Sequence, residues 1–178
     1  MKDSDFFTWR RDCSLRFQEL TCTDEVYQEL QRQTQTLEFD YFALCVRHPV
    51  PFTRPKIAVH TTYPKQWMAQ YQSANYFAID PVLKPENFIQ GHLPWTDALF
   101  ADAQELWHSA QDYGLRAGIT QCLMLPNHAL GFLSVSRTSV LEGPFAHEEI
   151  ELRLQMLVQM ALTSLIRFED EMVMPPEM

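Results

Sequence analysis

Two spacings of apolar residues alternate along the chain, and each change of period marks a new element. Phe6, Trp9, Cys13, Phe17 and Leu20 recur at intervals of three and four, which places their side chains on one face of a helix; Ser4 is the expected N-cap. Val26, Leu30, Thr34 and Leu37 repeat the spacing after Thr23 or Asp24, either of which can cap a second helix. From Phe39 to Val46 the period falls to two, with Tyr41, Ala43 and Cys45 alternating with Phe42, Leu44 and Val46. Both sets are apolar, which predicts a strand buried between two layers. Pro49, Pro51 and Pro55 then predict a tight connection into a second short strand over 56–62.

Pro64 suits the first turn of a helix that carries Trp67 and Tyr71. Residues 75–95 hold several prolines and predict an irregular covering segment with at most short helical turns. A further helix is predicted from Ala101 to Gly114, a glycine fitted to the residue after a helix end, with Leu106 and Ala110 on one face. The segments GITQCLML and LGFLSVSR flank the turn-rich PNHA and predict a hairpin. Ile150, Leu154, Leu157, Ala161, Leu165 and Phe168 give the clearest helical period. Met156, Met160 and Leu162 widen that stripe, which fits either burial in the chain's own core or packing shared between the sheet and a second subunit. Helices at both ends of mainly antiparallel strands predict an α/β fold, an α-β-α sandwich with a central sheet of about five strands and helices on both faces.

Length and charge narrow the function. At 178 residues and 46% hydrophobic content the chain fits one domain, expected over residues 1–170, with residues 171–178 reading as the start of a linker. The formal net charge of -9 argues against the chain gripping nucleic acid by itself, because such binders gather Lys and Arg on one face. Cys13, Cys22, Cys45 and Cys122 lie far apart without C-x-x-C spacing, so neither a zinc site nor a disulfide framework is expected. The sequence shows neither the apolar core of a signal peptide nor a run long enough to span a bilayer, so a cytoplasmic location without membrane contact is expected. The histidines show no H-x-x-x-H spacing and no G-x-S-x-G elbow occurs. Cys122 falls within a predicted strand as a core thiol. No catalytic residue, metal site or cofactor is expected.

One segment carries chemistry: Tyr63-x-x-x-Trp67-x-x-x-Tyr71, then Tyr76, Asp80-Pro81-Val82-Leu83 and Trp95. Trp67 and Tyr71 share a helix face, and Tyr63 at the entry can join them in an aromatic wall. A helix burying aromatic residues in an ordinary core produces the same stripe. Asp80 lies amid Phe77, Ala78, Ile79, Val82 and Leu83 and is expected to point inward, where an ionised carboxylate can only accept hydrogen bonds and needs a donor. That donor is either internal, a backbone N–H or a tyrosine hydroxyl, or the N–H of a ligand.

The stretches CVRHPVPFTRPK, YPKQW, AIDPVLKPENF, QGHLPW, GITQ and LMLPNHALGFLS, with Tyr63, Trp67, Asp80, Pro81, Trp95 and Gly118 as a set, resemble the autoinducer-binding domain of LuxR-type quorum-sensing regulators. The resemblance covers essentially the whole chain. It implies a non-catalytic module that encloses an N-acyl homoserine lactone, with Trp67 donating to the lactone carbonyl, Asp80 accepting the amide N–H and Tyr63 donating to the acyl oxygen. It further implies that Trp95 packs against the lactone and that Ser134 lies by the polar head, bonding directly or through water. The tail would run among Ala43, Val59, Tyr71, Phe77, Val82, Phe100, Leu106, Ala110, Leu115 and Phe132. By the same resemblance the protein dimerises and reaches DNA only through a helix-turn-helix domain beyond this segment. Two other functions remain open: an enzyme acting on the acyl lactone, for which no nucleophile and base stand out, and a sensor for another amphiphile such as a monoacylglycerol, whose hydroxyl can replace the amide as donor to Asp80.

Overall fold

A computed structural model describes residues 5–48, 56–88, 91–126, 128–139 and 144–172. Helices α1 (Phe6–Glu19) and α2 (Thr23–Thr36) precede strands β1 (Tyr41–His48) and β2 (Lys56–Thr61). Helix α3 (Lys65–Ser73) leads into three single-turn 3₁₀ segments, Tyr76–Ala78, Pro81–Leu83 and Pro85–Asn87. Then follow β3 (His92–Pro94), α4 (Gln104–Asp112), the hairpin of β4 (Ala117–Met124) and β5 (Leu130–Arg137), and α5 (Pro144–Met172). The strands form one sheet in the order β2-β1-β5-β4-β3 with every neighbour antiparallel. Among the described residues no helix is long and apolar enough to cross a membrane.

The period of two in β1 sets the layers. Phe42 and Leu44 enter a core with Trp9 and Phe17 of α1, Leu30 of α2 and Leu154, Leu157 and Leu162 of α5. Ala43 and Cys45 face the opposite side, beneath α3, the 3₁₀ segments and α4. Gly131 lets α5 come close to β5, since a Cβ there would overlap the Leu162 side chain. Arg153 of α5 is wholly buried; its Nε and NH2 donate to Glu149 Oε1 at 3.1 and 2.6 Å, and its guanidinium lies 4.8 Å from the Trp9 ring centroid.

The sandwich and its five strands match the expectation, whereas several boundaries differ for local reasons. Asp5 stands at the N-cap of α1, and Ser4 lies outside the described residues. Thr23 and Asp24 are inside α2, which Cys22 precedes; Thr21 closes that end by donating its N–H and hydroxyl to Glu25 Oε1 at 2.6 and 2.7 Å. Glu38 adopts φ 69, so the chain is still turning at Phe39 and β1 starts at Tyr41. Thr62 falls just past β2, yet its N–H still donates to the Phe42 carbonyl at 2.9 Å. Pro64 is the N-cap of α3, with ψ 135 outside the helical range. Turns occupy the chain from Ala101, and α4 begins at Gln104 and ends before Gly114, which takes φ 92. The expected irregular segment contains β3, whose three residues pair with Ile119, Thr120 and Gln121 of β4. Helix α5 runs on to Met172, and residues 173–178 of the expected linker lie outside the described residues, as do Pro49, Pro51 and Pro55.

Replacing Gly131 by Ala forces Leu162 and α5 away from the sheet. Overpacking of this kind costs about 1–3 kcal/mol, so Gly131→Ala is expected to lower the unfolding free energy read from urea titrations by that amount, with a lower midpoint; an unchanged midpoint would show that α5 does not depend on the close approach.

Candidate functional site

Facing the tight core, the other side of the sheet is hollow. A cavity of about 70 Å³ lies between it and the layer of α3, the 3₁₀ segments and α4. Its wall comprises Tyr63, Trp67, Asp80, Trp95 and Ser134 together with Ala43, Val59, Tyr71, Phe77, Val82, Phe100, Leu106, Ala110, Leu115 and Phe132. The structure thus brings every residue expected around the polar head or the tail to one enclosure, whereas Tyr76, named with them, is not on its wall. Cys45, Met68, Leu83 and Trp107 complete the wall. Cys45 was within reach, since period two puts it on the same face as Ala43. Trp107 stacks on Phe100 at 4.3 Å and donates its indole N–H to Asp97 at 2.7 Å, a long-range pairing without a spacing signal.

Local sequence aims the polar groups inward. Trp67 and Tyr71 lie one turn apart on the buried side of α3 with their rings at 5.8 Å. Asn75 takes a left-handed conformation, φ 54 and ψ 45, which turns the chain so that Tyr76 packs against Trp67 at 5.8 Å and Phe77 against Tyr71 at 4.6 Å. Asp80 then caps the 3₁₀ turn opened by Pro81, its Oδ1 accepting the Val82 N–H at 3.0 Å.

The other oxygen, Oδ2, accepts the Tyr71 hydroxyl at 2.5 Å. The donor to Asp80 is therefore internal, and Tyr71, expected only as an apolar wall, has its ring in the wall and its hydroxyl on the carboxylate. Two bonds do not saturate a carboxylate, which offers about four lone-pair sites. Burial raises the Asp80 pKa from 3.8 to about 6, against the opposing effects of the Tyr71 hydroxyl, the Val82 N–H and Lys84. Burial first, and then the Asp80 charge, push the phenols of Tyr63 and Tyr71 above their ordinary range and the Cys45 thiol up to about 12. Both phenols therefore keep their protons as donors, and the thiol is inert at neutral pH. Trp67 is only 2% exposed, and its indole N–H has no hydrogen-bond acceptor among the described residues. Trp95 packs its ring on Gly118, where any Cβ would overlap it, and donates its indole N–H to Thr120 Oγ1 at 2.9 Å.

Comparison with known proteins gives a consistent set of relatives. A family model of the autoinducer binding domain matches residues 23–165. Regulatory protein SdiA of Escherichia coli is 58% identical over 178 residues, which span 100% of this chain and 74% of that protein. The HTH-type quorum-sensing regulator RhlR of Pseudomonas aeruginosa is 37% identical over 172 residues, 97% of this chain and 71% of that protein. A solved structure of SdiA in complex with octanoyl-rac-glycerol superposes with a TM-score of 0.89 at 58% identity, covering 100% of this chain and 73% of that one.

The raised pKa of Asp80 gives stability a definite pH dependence. A carboxyl harder to ionise in the folded chain contributes stability that is fully present below its ordinary value and is lost as pH rises through about 6. The loss is on the order of 3 kcal/mol by neutral pH. Asp80→Asn removes this titration and keeps an oxygen for Tyr71. The unfolding free energy of the wild type minus that of the variant is expected to fall between about pH 4 and pH 7 in urea titrations; a constant difference would contradict the assignment.

Proposed function

The chain belongs to the autoinducer-binding domain family, the ligand-sensing part of LuxR-type quorum-sensing regulators, and on that premise we propose that its cavity takes an N-acyl homoserine lactone. One observation carries this reading: an indole donor, a phenol donor and a carboxylate acceptor lie on the wall of an otherwise apolar enclosure. Trp67 donates to the lactone carbonyl, Tyr63 to the acyl oxygen, and Asp80 accepts the amide N–H, which matches what each group is able to do. Trp95 closes the lactone end by packing. Ser134 lies by the head, and the acyl tail runs along Ala43, Val59, Phe77, Val82, Phe100, Leu106, Ala110, Leu115, Phe132 and the ring of Tyr71.

The cavity of about 70 Å³ is well short of the roughly 300–1,000 Å³ of typical ligand sites. Binding therefore moves the wall outward and exchanges a poorly filled interior for a packed one. A ligand held only by the folded chain stabilises it by about 2.7 kcal/mol at a hundredfold excess over Kd, so ligand governs how much folded sensor exists. The chain does this as a binder and not as an enzyme, without a cofactor, in the cytoplasm, as a homodimer that uses the Met156 and Met160 side of α5. With a net charge of -9, it leaves DNA contact to a helix-turn-helix unit outside these residues. A monoacylglycerol is the second reading, favoured by the octanoyl-rac-glycerol held in SdiA: a glycerol hydroxyl is able to donate to Asp80 in place of the amide.

N-octanoyl homoserine lactone is expected to raise the melting temperature of the wild-type chain, and Asp80→Asn to lose most of that rise. Mass spectrometry of the incubated lactone is expected to show an intact ring, and turnover would favour an enzyme. Because the bound state needs the carboxylate, lactone affinity is expected to fall as pH drops through about 6, approaching tenfold per pH unit well below it; pH-independent titrations would remove Asp80 from the ligand.

A further inference from the structure

The wall of the cavity carries charge of one sign only. Among the described residues it holds one carboxylate, Asp80, and no lysine, arginine or histidine. The charged groups bonded to the covering layer, Asp97 through Trp107 at 2.7 Å and Glu105 through Tyr76 at 3.1 Å, are acids as well. Lys84 eases the ionisation of Asp80, but it is exposed and off the wall, where water weakens its reach.

Both groups that hold Asp80, the Val82 N–H and the Tyr71 hydroxyl, are neutral donors; they orient the carboxylate without cancelling its charge. A tail of given length buries the same methylenes whatever its head, so the tail cannot tell one acyl amphiphile from another of opposite charge. The head can. For a carboxylate head, the Trp67 and Tyr63 donors at best replace the hydrogen bonds that water supplied, and the repulsion from Asp80 is left over in an apolar enclosure. The way round it is to protonate Asp80, which titrates at about 6 and therefore costs about a hundredfold in affinity at pH 8. For an ammonium head the sign reverses, and Asp80 is the counter-ion.

On the sensor reading given above, we propose that the Asp80 charge, with no cation on the wall to offset it, sorts amphiphiles by the charge of their heads. The cavity rejects anionic heads, those of fatty-acid anions among them, and admits neutral and ammonium heads on the same tail. The carboxylate is then a specificity determinant against the commonest class of acyl chain, apart from any hydrogen bond it accepts.

Calorimetric titration at pH 8 with three probes that share the octanoyl amide tests this: N-octanoylglycine, anionic; N-octanoylglycinamide, neutral; and mono-N-octanoyl ethylenediamine, cationic. The wild type is expected to bind the anion between about tenfold and a hundredfold more weakly than the neutral probe, and the cation at least about tenfold more tightly than the anion. In Asp80→Asn the anion is expected to come within about threefold of the neutral probe, while the cation falls behind it, because a buried ammonium then lacks a partner. Ratios between probes are read, so a general loss of affinity in the variant cancels. A cavity merely loosened by the substitution would shift both charged probes the same way and overturn the proposal, as would equal binding of anion and cation by the wild type, which needs no variant. Either result leaves the sensor reading standing so long as N-octanoyl homoserine lactone binds. A wild type that takes neither the lactone nor N-octanoylglycinamide would overturn both.

Discussion

A carboxylate enclosed by aromatic rings imposes conditions on everything around it. Water solvates an exposed aspartate without structural demands, but Asp80, 7% exposed, needs donors supplied at fixed places. One comes from Tyr71, which ties the rotation of α3 to the position of Asp80; the other is the Val82 N–H, delivered by the turn that Pro81 opens. The same charge discourages ionisation of the neighbouring phenols and of Cys45. A site of donors around one acceptor follows from a single buried charge. Charge is retained there at a cost in stability, because the folded chain must strip it of water.

The sheet separates that costly region from a cheap one. On the α1, α2 and α5 side, Phe42, Leu133 and Val135 meet leucines of α5 in an apolar core, and Gly131 removes the side chain that would hold the layers apart. On the other side the sheet contributes Ala43, Ser134 and Gly118, small residues that leave room for a cavity and for the Trp95 ring. The two faces of β1 and β5 thus divide the work: one face supplies folding free energy, and the other gives up packing for space.

Layers and wall were legible in the sequence because they depend on period. Tyr41, Ala43 and Cys45 against Phe42, Leu44 and Val46 determined two covered faces, and the spacing of Trp67 and Tyr71 determined one side of a helix. The resemblance to a known family added Ser134, the place of Trp95 at the lactone end and the grouping of the tail positions, which isolated residues do not signal. Strand β3 escaped notice because three residues ending in a proline show no alternation, and Pro94 is tolerated there because the strand lies at the sheet edge. The internal bond from Tyr71 to Asp80 was one of two open alternatives, since spacing cannot say whether a hydroxyl turns to a carboxylate or to a ligand. Thr120 gave no sign at all: its hydrogen-bond partners, Trp95 and Ser134, are 25 and 14 residues away.

Val59 sits on the cavity wall yet is 38% exposed, on the edge strand of the sheet. The enclosure is therefore thinnest at β2. A hydrocarbon chain gains roughly 0.8 kcal/mol for each methylene it withdraws from water, but carbons that emerge past Val59 return to solvent and gain close to nothing. Any apolar chain laid along this wall would therefore gain only from the part that stays inside β2, however far the remainder extends.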